Sequence, residues 1–309
     1  MSRQLTAIDP RTAKRSRLAQ WLCGEGIEIG ALNRPLPVPA AARVHYVDRL
    51  PLAELRRYYA EVGDEGWPNI DIIGDVEDLS GIADSTLDFA IASHLVEHLP
   101  LPARGLREML RVLKPDGVLF LILPDQRVGI DHARAVTPVE HLIETIDAAQ
   151  DSLIDQHYRD WVTNAEAVPQ DTIADRVSDL SSARYPIHFH TFRPETLLQF
   201  LLTLRGKPGL VFDIAAFAPP EYPMDDDIIV VLVKGAHDAS PMMPPFTVST
   251  VAGGAHGINQ SESRWAQFRQ RAARSALRPV LRPPYRAARK LSGRIAAGRR
   301  WRRKGDSTT

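Results

Sequence analysis

At 309 residues, 44% apolar and 25% charged, the chain has the composition of a globular protein and room for one large α/β domain with extensions. Its single cysteine excludes an internal disulfide framework and a cysteine-rich zinc site. No apolar run nears the roughly 20 residues of a membrane-spanning helix, and no signal-peptide core follows the N-terminus, so a cytoplasmic location is expected. The zero net charge conceals an asymmetry. Residues 261–309 carry 15 Lys and Arg against 2 acidic residues, near +13, which leaves the remainder near −13.

In chain order, residues 10–22 predict a short helix leading into a first strand that ends at Gly30. Cys23, between them, reads as a small buried hydrophobe. A proline-rich crossover leads to a second strand, Val44 to Val47, closed by Asp48. Pro51 opens a helix from a position where its missing N–H costs nothing. Ile70–Ile73 and Leu87–Ala92 predict the third and fourth strands, and Pro102–Leu113 an amphipathic helix with Leu106, Met109, Leu110 and Leu113 on one face. Lys114-Pro115-Asp116-Gly117 is turn chemistry, and Val118–Leu123 has the unbroken apolar run of a parallel strand covered on both faces. Strands alternating with helices predict a doubly wound, mostly parallel sheet.

From Pro124 the pattern turns polar, with helical pieces at Pro138–Ala149 and Leu153–Ala165 and with His132, His141 and His157. An insertion over the carboxyl edge of the sheet, a lid or acceptor pocket, fits that change. Arg193–Leu204 predicts a further helix, and Leu210–Phe217 with Asp227–Lys234 a closing strand pair. The expected organisation is a helical lead-in (1–24), an α/β domain (25–235, with 124–190 as the insertion), a linker (236–260) and a basic tail (261–309).

The spacing from Gly30 to Asp48 points to a ligand. A glycine at a strand end admits close backbone approach, and a carboxylate about 20 residues on can grip a ribose diol. The three-glycine fingerprint of dinucleotide sites is missing, since Ala31, Leu32 and Asn33 follow Gly30, and no P-loop lysine follows either. A nucleoside without a pyrophosphate fits better.

The stretch DIIGDVEDLSGIADSTLDFAIASHLVEHLPLPARGLREMLRVLKPDGVLFLILPD, Asp71 to Asp125, together with IEIGAL before it, resembles the class I S-adenosylmethionine-dependent methyltransferases. It is most similar to the type 11 bacterial group, and the similarity extends through VTPVEHL and YPIHFHTFRPETL. The resemblance implies a seven-stranded Rossmann-like sheet, S-adenosylmethionine as cofactor, and methyl transfer. It places Glu28, Gly30 and Ala31 under the methionine part of the cofactor and Asp48 on the ribose. Asp75 would accept from the adenine amine while the Val76 N–H donates to the ring, and Ser93 and His94 would offer a main-chain carbonyl to the ammonium.

Histidine is the natural base near neutral pH. His98 follows the fourth strand, and His188 and His190 alternate along an extended segment and so share a side. All three are candidate bases. The two same-side histidines could instead hold a metal with Glu97 or His98, but no metal is assigned. Asp131 and His132 form a further pair, read as surface residues. In the tail, Trp265, Phe268, Leu291 and Ile295 stand among arginines, as in segments that lie on anionic membranes, bind nucleic acid, or do neither. The expected function is methylation, at oxygen, of a small molecule or sugar/glycan precursor, with peripheral contact to the inner membrane surface through the tail. The alternatives are a nucleic-acid methyltransferase anchored by the tail and a cofactor-binding scaffold without turnover.

Overall fold

In the computed structural model, which describes residues 9–235 apart from 64, 150, 151 and 224, the sheet is built around an apolar run. Residues 118–123 are all buried. The strands are β1 (Gly24–Ile29), β2 (Ala42–Asp48), β3 (Ile72–Ile73), β4 (Leu87–Ser93), β5 (Leu113–Pro124), β6 (Phe212–Ala218) and β7 (Asp227–Lys234). Their order is β3-β2-β1-β4-β5-β7-β6. The first five run parallel, and β7 is antiparallel to both its neighbours. This is the seven-stranded, mostly parallel Rossmann-like sheet that the sequence predicts.

Alternate residues feed two apolar layers. Ala90 and Ala92 of β4 face α3 (Pro102–Val112) and α7 (Pro194–Leu204), whose Leu106, Met109, Phe200 and Leu201 are buried there. Phe89 and Ile91 face the opposite layer, where Ala19 and Leu22, just after α1 (Pro10–Leu18), meet Leu36 of the crossover. Full burial of each such Leu, Ile or Phe is worth about 1.5–3 kcal/mol. At Gly26 a Cβ would lie 2.3 Å from the Phe89 carbonyl oxygen, so the approach of β1 to β4 requires glycine. The crossover 30–41 holds no helix, in keeping with its prolines at 35, 37 and 39. α2 (Leu52–Tyr58) follows β2.

The structure departs from expectation in several places. β3 shrinks to two residues, because the Asp71 carboxylate takes the Tyr46 N–H at 2.8 Å where the ladder would otherwise begin. The turn chemistry at 114–117 falls inside β5: Asp116, at φ 63°, accompanies a register shift against β4 and makes an irregularity rather than a break. In the insertion, α4 (Val139–Glu144) and α5 (Ile154–Asp160) occupy the expected pieces, α5 continuing as a π-turn over Trp161–Ala165. A third helix, α6 (Ile173–Ala183), is unexpected. Its apolar stripe, Ile173, Val177 and Leu180, is diluted by serines and aspartates of modest helix propensity. The insertion has its own apolar cluster of Tyr158, Trp161, Val162, Ile173, Leu180, Ile187 and Phe189. Cys23 is exposed rather than buried, since Leu22 takes the inward position beside it.

Candidate active site

The ladder register brings three strand ends to one edge. Ile29 pairs with Val47 on one side and with Ala92 on the other, so Gly30, Asp48 and Ser93 end their strands together. The order reverses between β1 and β4, and there an open α/β sheet leaves its ligand crevice. Gly30 turns the chain at φ 68° and donates its N–H to the Val47 carbonyl at 2.9 Å. Such a φ favours glycine, and Ala31 leads into the crossover. Asp48 is 8% exposed and accepts the Arg49 N–H at 2.7 Å. Burial raises its pKa against the lowering effect of the Arg49 and Leu50 amides. An acceptor-only carboxylate at a glycine-lined strand edge suits a ribose diol, so these residues fit a nucleoside cofactor.

Glu28 is fully buried, and both its oxygens accept from the Leu36 N–H, at 2.9 and 3.1 Å. It ties the crossover back onto β1. Burial lifts its pKa to about 7, against the Leu36 amide and the Arg15 charge. Asp75 is exposed and accepts the Glu77 N–H at 2.9 Å, shaping the turn, while the Val76 side chain enters the main core.

Past Ser93, His94 takes a left-handed φ of 51° and meets a charge network. Its Nε2 lies 3.1 Å from Asp227 Oδ1, and its Nδ1 lies 3.5 Å from Glu97 Oε1. α1 delivers Arg11 and Arg15 to the same Asp227 carboxylate, each at 2.6 Å, while Lys14 pairs with Asp225. Burial alone would lower the His94 pKa, but the Asp227 and Glu97 carboxylates outweigh it and hold it at about 9. Asp227 is buried too, yet His94 and the two arginines hold it well below the carboxylate range.

A second group forms where the insertion meets the segment after β4. His188 Nδ1 donates to Asp131 Oδ2 at 2.6 Å. Asp131 also accepts from Arg134 at 2.7 Å, and Arg134 reaches Asp160 at 2.7 Å and the His188 carbonyl at 2.8 Å, with its guanidinium 5.6 Å from the Trp161 ring centroid. Asp131 is held low although burial opposes this. His98 stands edge-on to His188, ring centroids 4.5 Å apart, and gives its Nδ1–H to the Pro186 and Ile187 carbonyls, each at 3.0 Å. Burial, then the His188 charge, push its pKa down to about 4, so at neutral pH it is an uncharged ring fixed by backbone. Glu97, 1% exposed, lies between these histidines and His94, and neither of its oxygens has a hydrogen-bond partner.

The structure thus gathers Gly30, Asp48, Ser93 and His94 at one edge, and His98 with His188 beside it. His188 and His190 do not share a side. Among the described residues the segment joins no strand ladder, and it bends at residue 190, so no pleat enforces period two, and His190 turns to His141 and His157. Asp131 is buried and paired with His188, not with His132, whose ring faces the Gly129 carbonyl. Sequence reading passed over Arg11, Arg15, Asp227 and Arg134, and raised Glu97 only as a possible metal ligand. Two signals were there: three consecutive aspartates at 225–227, and cations at 11, 14 and 15, one face of a helix.

Residues 22–121 match the family model described as "Methyltransferase domain". No curated protein matches the chain in sequence. Among solved structures, the CurJ carbon methyltransferase is 12% identical over 74% of this chain, at a TM-score of 0.37, and the match spans half of that longer chain. A possible histamine N-methyltransferase from Thermotoga maritima is 15% identical, with 72% of this chain and 91% of that one covered, at 0.39. A putative zinc-dependent alcohol dehydrogenase from Rhodobacter sphaeroides is 14% identical, with 74% and 91% covered, at 0.42. Likenesses of this size decide nothing about chemistry.

Proposed function

With the match to a methyltransferase domain over residues 22–121 as the premise, we propose that the chain is a class I S-adenosylmethionine-dependent methyltransferase that methylates an oxygen atom of a small molecule, a sugar or glycan precursor being the favoured acceptor. The observation that carries this reading is the His188–Asp131 pair. Because Nδ1–H is given to Asp131, the lone pair of His188 rests on Nε2. An alcohol becomes a competent nucleophile only as its proton leaves, whereas a neutral amine can attack before losing one, so an oriented base favours oxygen. Bound S-adenosylmethionine supplies an electrophilic methyl group. His188 takes the hydroxyl proton on Nε2, and Asp131 steadies the imidazolium that forms. Arg134 fixes Asp131 and the His188 backbone in place.

Gly30, Ala31, Asp48, Asp75, Val76, Ser93 and the His94 main chain hold the cofactor in this reading, with Glu28 shaping the loop beneath it. His98 positions the acceptor loop. Support for a sugar comes from the rim of the insertion. Tyr58 of α2 and Tyr185, three residues before His188, stack with centroids 6.1 Å apart and are partly exposed. Aromatic faces of this kind suit the apolar face of a sugar ring. Residues 261–309 supply contact with an anionic membrane that presents the acceptor. They lie outside the described residues, as does the 236–260 linker, and among the described residues no helix is long and apolar enough to cross a membrane.

The test is incubation of the full chain with a polar-metabolite extract and S-adenosylmethionine carrying a labelled methyl group, followed by NMR of the labelled product. A methoxy signal on a small molecule or sugar supports the reading. Label on nitrogen, on carbon or in RNA, or no transfer at all, overturns it.

A further inference from the structure

Three clusters of possible metal ligands occur among the described residues. Asp225, Asp226 and Asp227 are matched by Arg11, Lys14 and Arg15. Glu97, His98 and His188 belong to the site described above. The third, His141, His157 and His190, is not used in the reading proposed above, and we propose that it is a binding site for a divalent metal of the zinc class.

The geometry carries the proposal. α4 contributes His141, α5 contributes His157, and the bend before α7 contributes His190. The three are 7%, 9% and 0% exposed. His141 Nε2 and His157 Nε2 lie 3.2 Å apart. Two imidazole nitrogens at the ordinary zinc–nitrogen distance on one tetrahedral ion are separated by about 3.3 Å. One ligand nitrogen from each of the three lies within 4.8 Å of the others, so a side-chain adjustment on the order of an ångström closes the set around one ion. His190 also has the support a ligating imidazole commonly has. Its Nε2–H points at the Pro100 carbonyl oxygen, 3.3 Å away, and that tautomer leaves the lone pair on Nδ1.

The ligand set decides the metal class. Three imidazoles without a carboxylate select zinc and its transition-metal neighbours over magnesium or calcium, which demand oxygen. Three protein ligands leave a fourth position for solvent. The consequence is mechanical, since the ion would tie two insertion helices to the segment that carries His188 and, through Pro100, to the loop before α3. It would brace the acceptor side without touching the cofactor edge.

The experiment uses the full chain without a histidine tag, stripped by a strong chelator and then titrated with Zn²⁺ alone. The wild type is expected to bind about one equivalent and to rise in melting temperature as it fills. His141→Gln, His157→Gln and His190→Gln should each weaken binding by at least about 100-fold, beyond the usual cost of losing an outer-shell partner. His188→Gln should bind as the wild type does. Should the three variants fail to fold, Co²⁺ in the wild type still decides, because the site must give the strong visible absorption of four-coordinate cobalt. No stoichiometric Zn²⁺ binding by the wild type, binding that survives His141→Gln and His157→Gln, equal loss in His188→Gln, or a six-coordinate cobalt spectrum would each overturn the proposal. None of these readouts depends on methyl transfer.

Discussion

His188 Nδ1 stands 2.6 Å from Asp131 Oδ2, joining residues 57 positions apart in the chain. The carboxylate is buried and shared with Arg134, itself 4% exposed. Asp131→Asn keeps the shape and removes the charge, leaving Arg134 with Asp160 as its remaining carboxylate partner. Breaking a buried pair from one side costs about 3–5 kcal/mol. Urea unfolding of the variant should show a loss of that order. A loss below about 1 kcal/mol would mean that the pair does not hold the insertion together.

Asp48→Ala tests the cofactor edge. Hydrogen bonds from sugar hydroxyls to a charged acceptor are worth about 1–3 kcal/mol. Titration calorimetry with S-adenosylhomocysteine should show that weakening in a folded variant, and unchanged affinity would remove Asp48 from the site.

The network on His94 makes stability depend on pH. Its folded pKa of about 9 lies above the ordinary histidine value. The protonated ring therefore contributes fully below about pH 6.5, and that contribution is lost as pH rises through about 9. The melting temperature of the wild type should fall between about pH 7 and pH 9, and the fall should be shallower in His94→Gln. Equal slopes in both proteins would show that His94 titrates outside this window.

How much of this was legible in the sequence follows from the range of each interaction. Val118–Leu123 and, beyond Asp88, Phe89–Ala92 declared themselves because strands buried on both faces must be apolar throughout. Gly30 and Asp48 were legible because one crossover fixes their separation. Turn chemistry at Lys114–Gly117 was also visible, but whether it breaks a strand or bends it depends on β4, which local sequence does not report. The Asp131–His188 pair and the approach of Arg11 to Asp227, 216 residues away, arise only from folding of the insertion and of α1. No local pattern marks the first, and the aspartates at 225–227 and the cations at 11, 14 and 15 mark the second without saying that they meet. His188 and His190 misled because period two holds for a paired strand, and this segment has no ladder.

The tail is predicted from composition alone. Fifteen cations within residues 261–309 should each gain roughly 1 kcal/mol near an anionic bilayer, a gain that salt screens. Co-sedimentation with anionic vesicles should be strong at low salt, weak at high salt, and lost on truncation at residue 260. Equal binding of both forms, or binding by neither, would remove the membrane from the account, and retention on RNA would favour the nucleic-acid reading.

The account turns on His188 as the base, and single-turnover methyl transfer by His188→Gln tests it most directly. A positioned base contributes roughly 10²–10⁴-fold. The variant should bind S-adenosylhomocysteine as tightly as the wild type and transfer the methyl group slower by that factor. Transfer at the wild-type rate would contradict it.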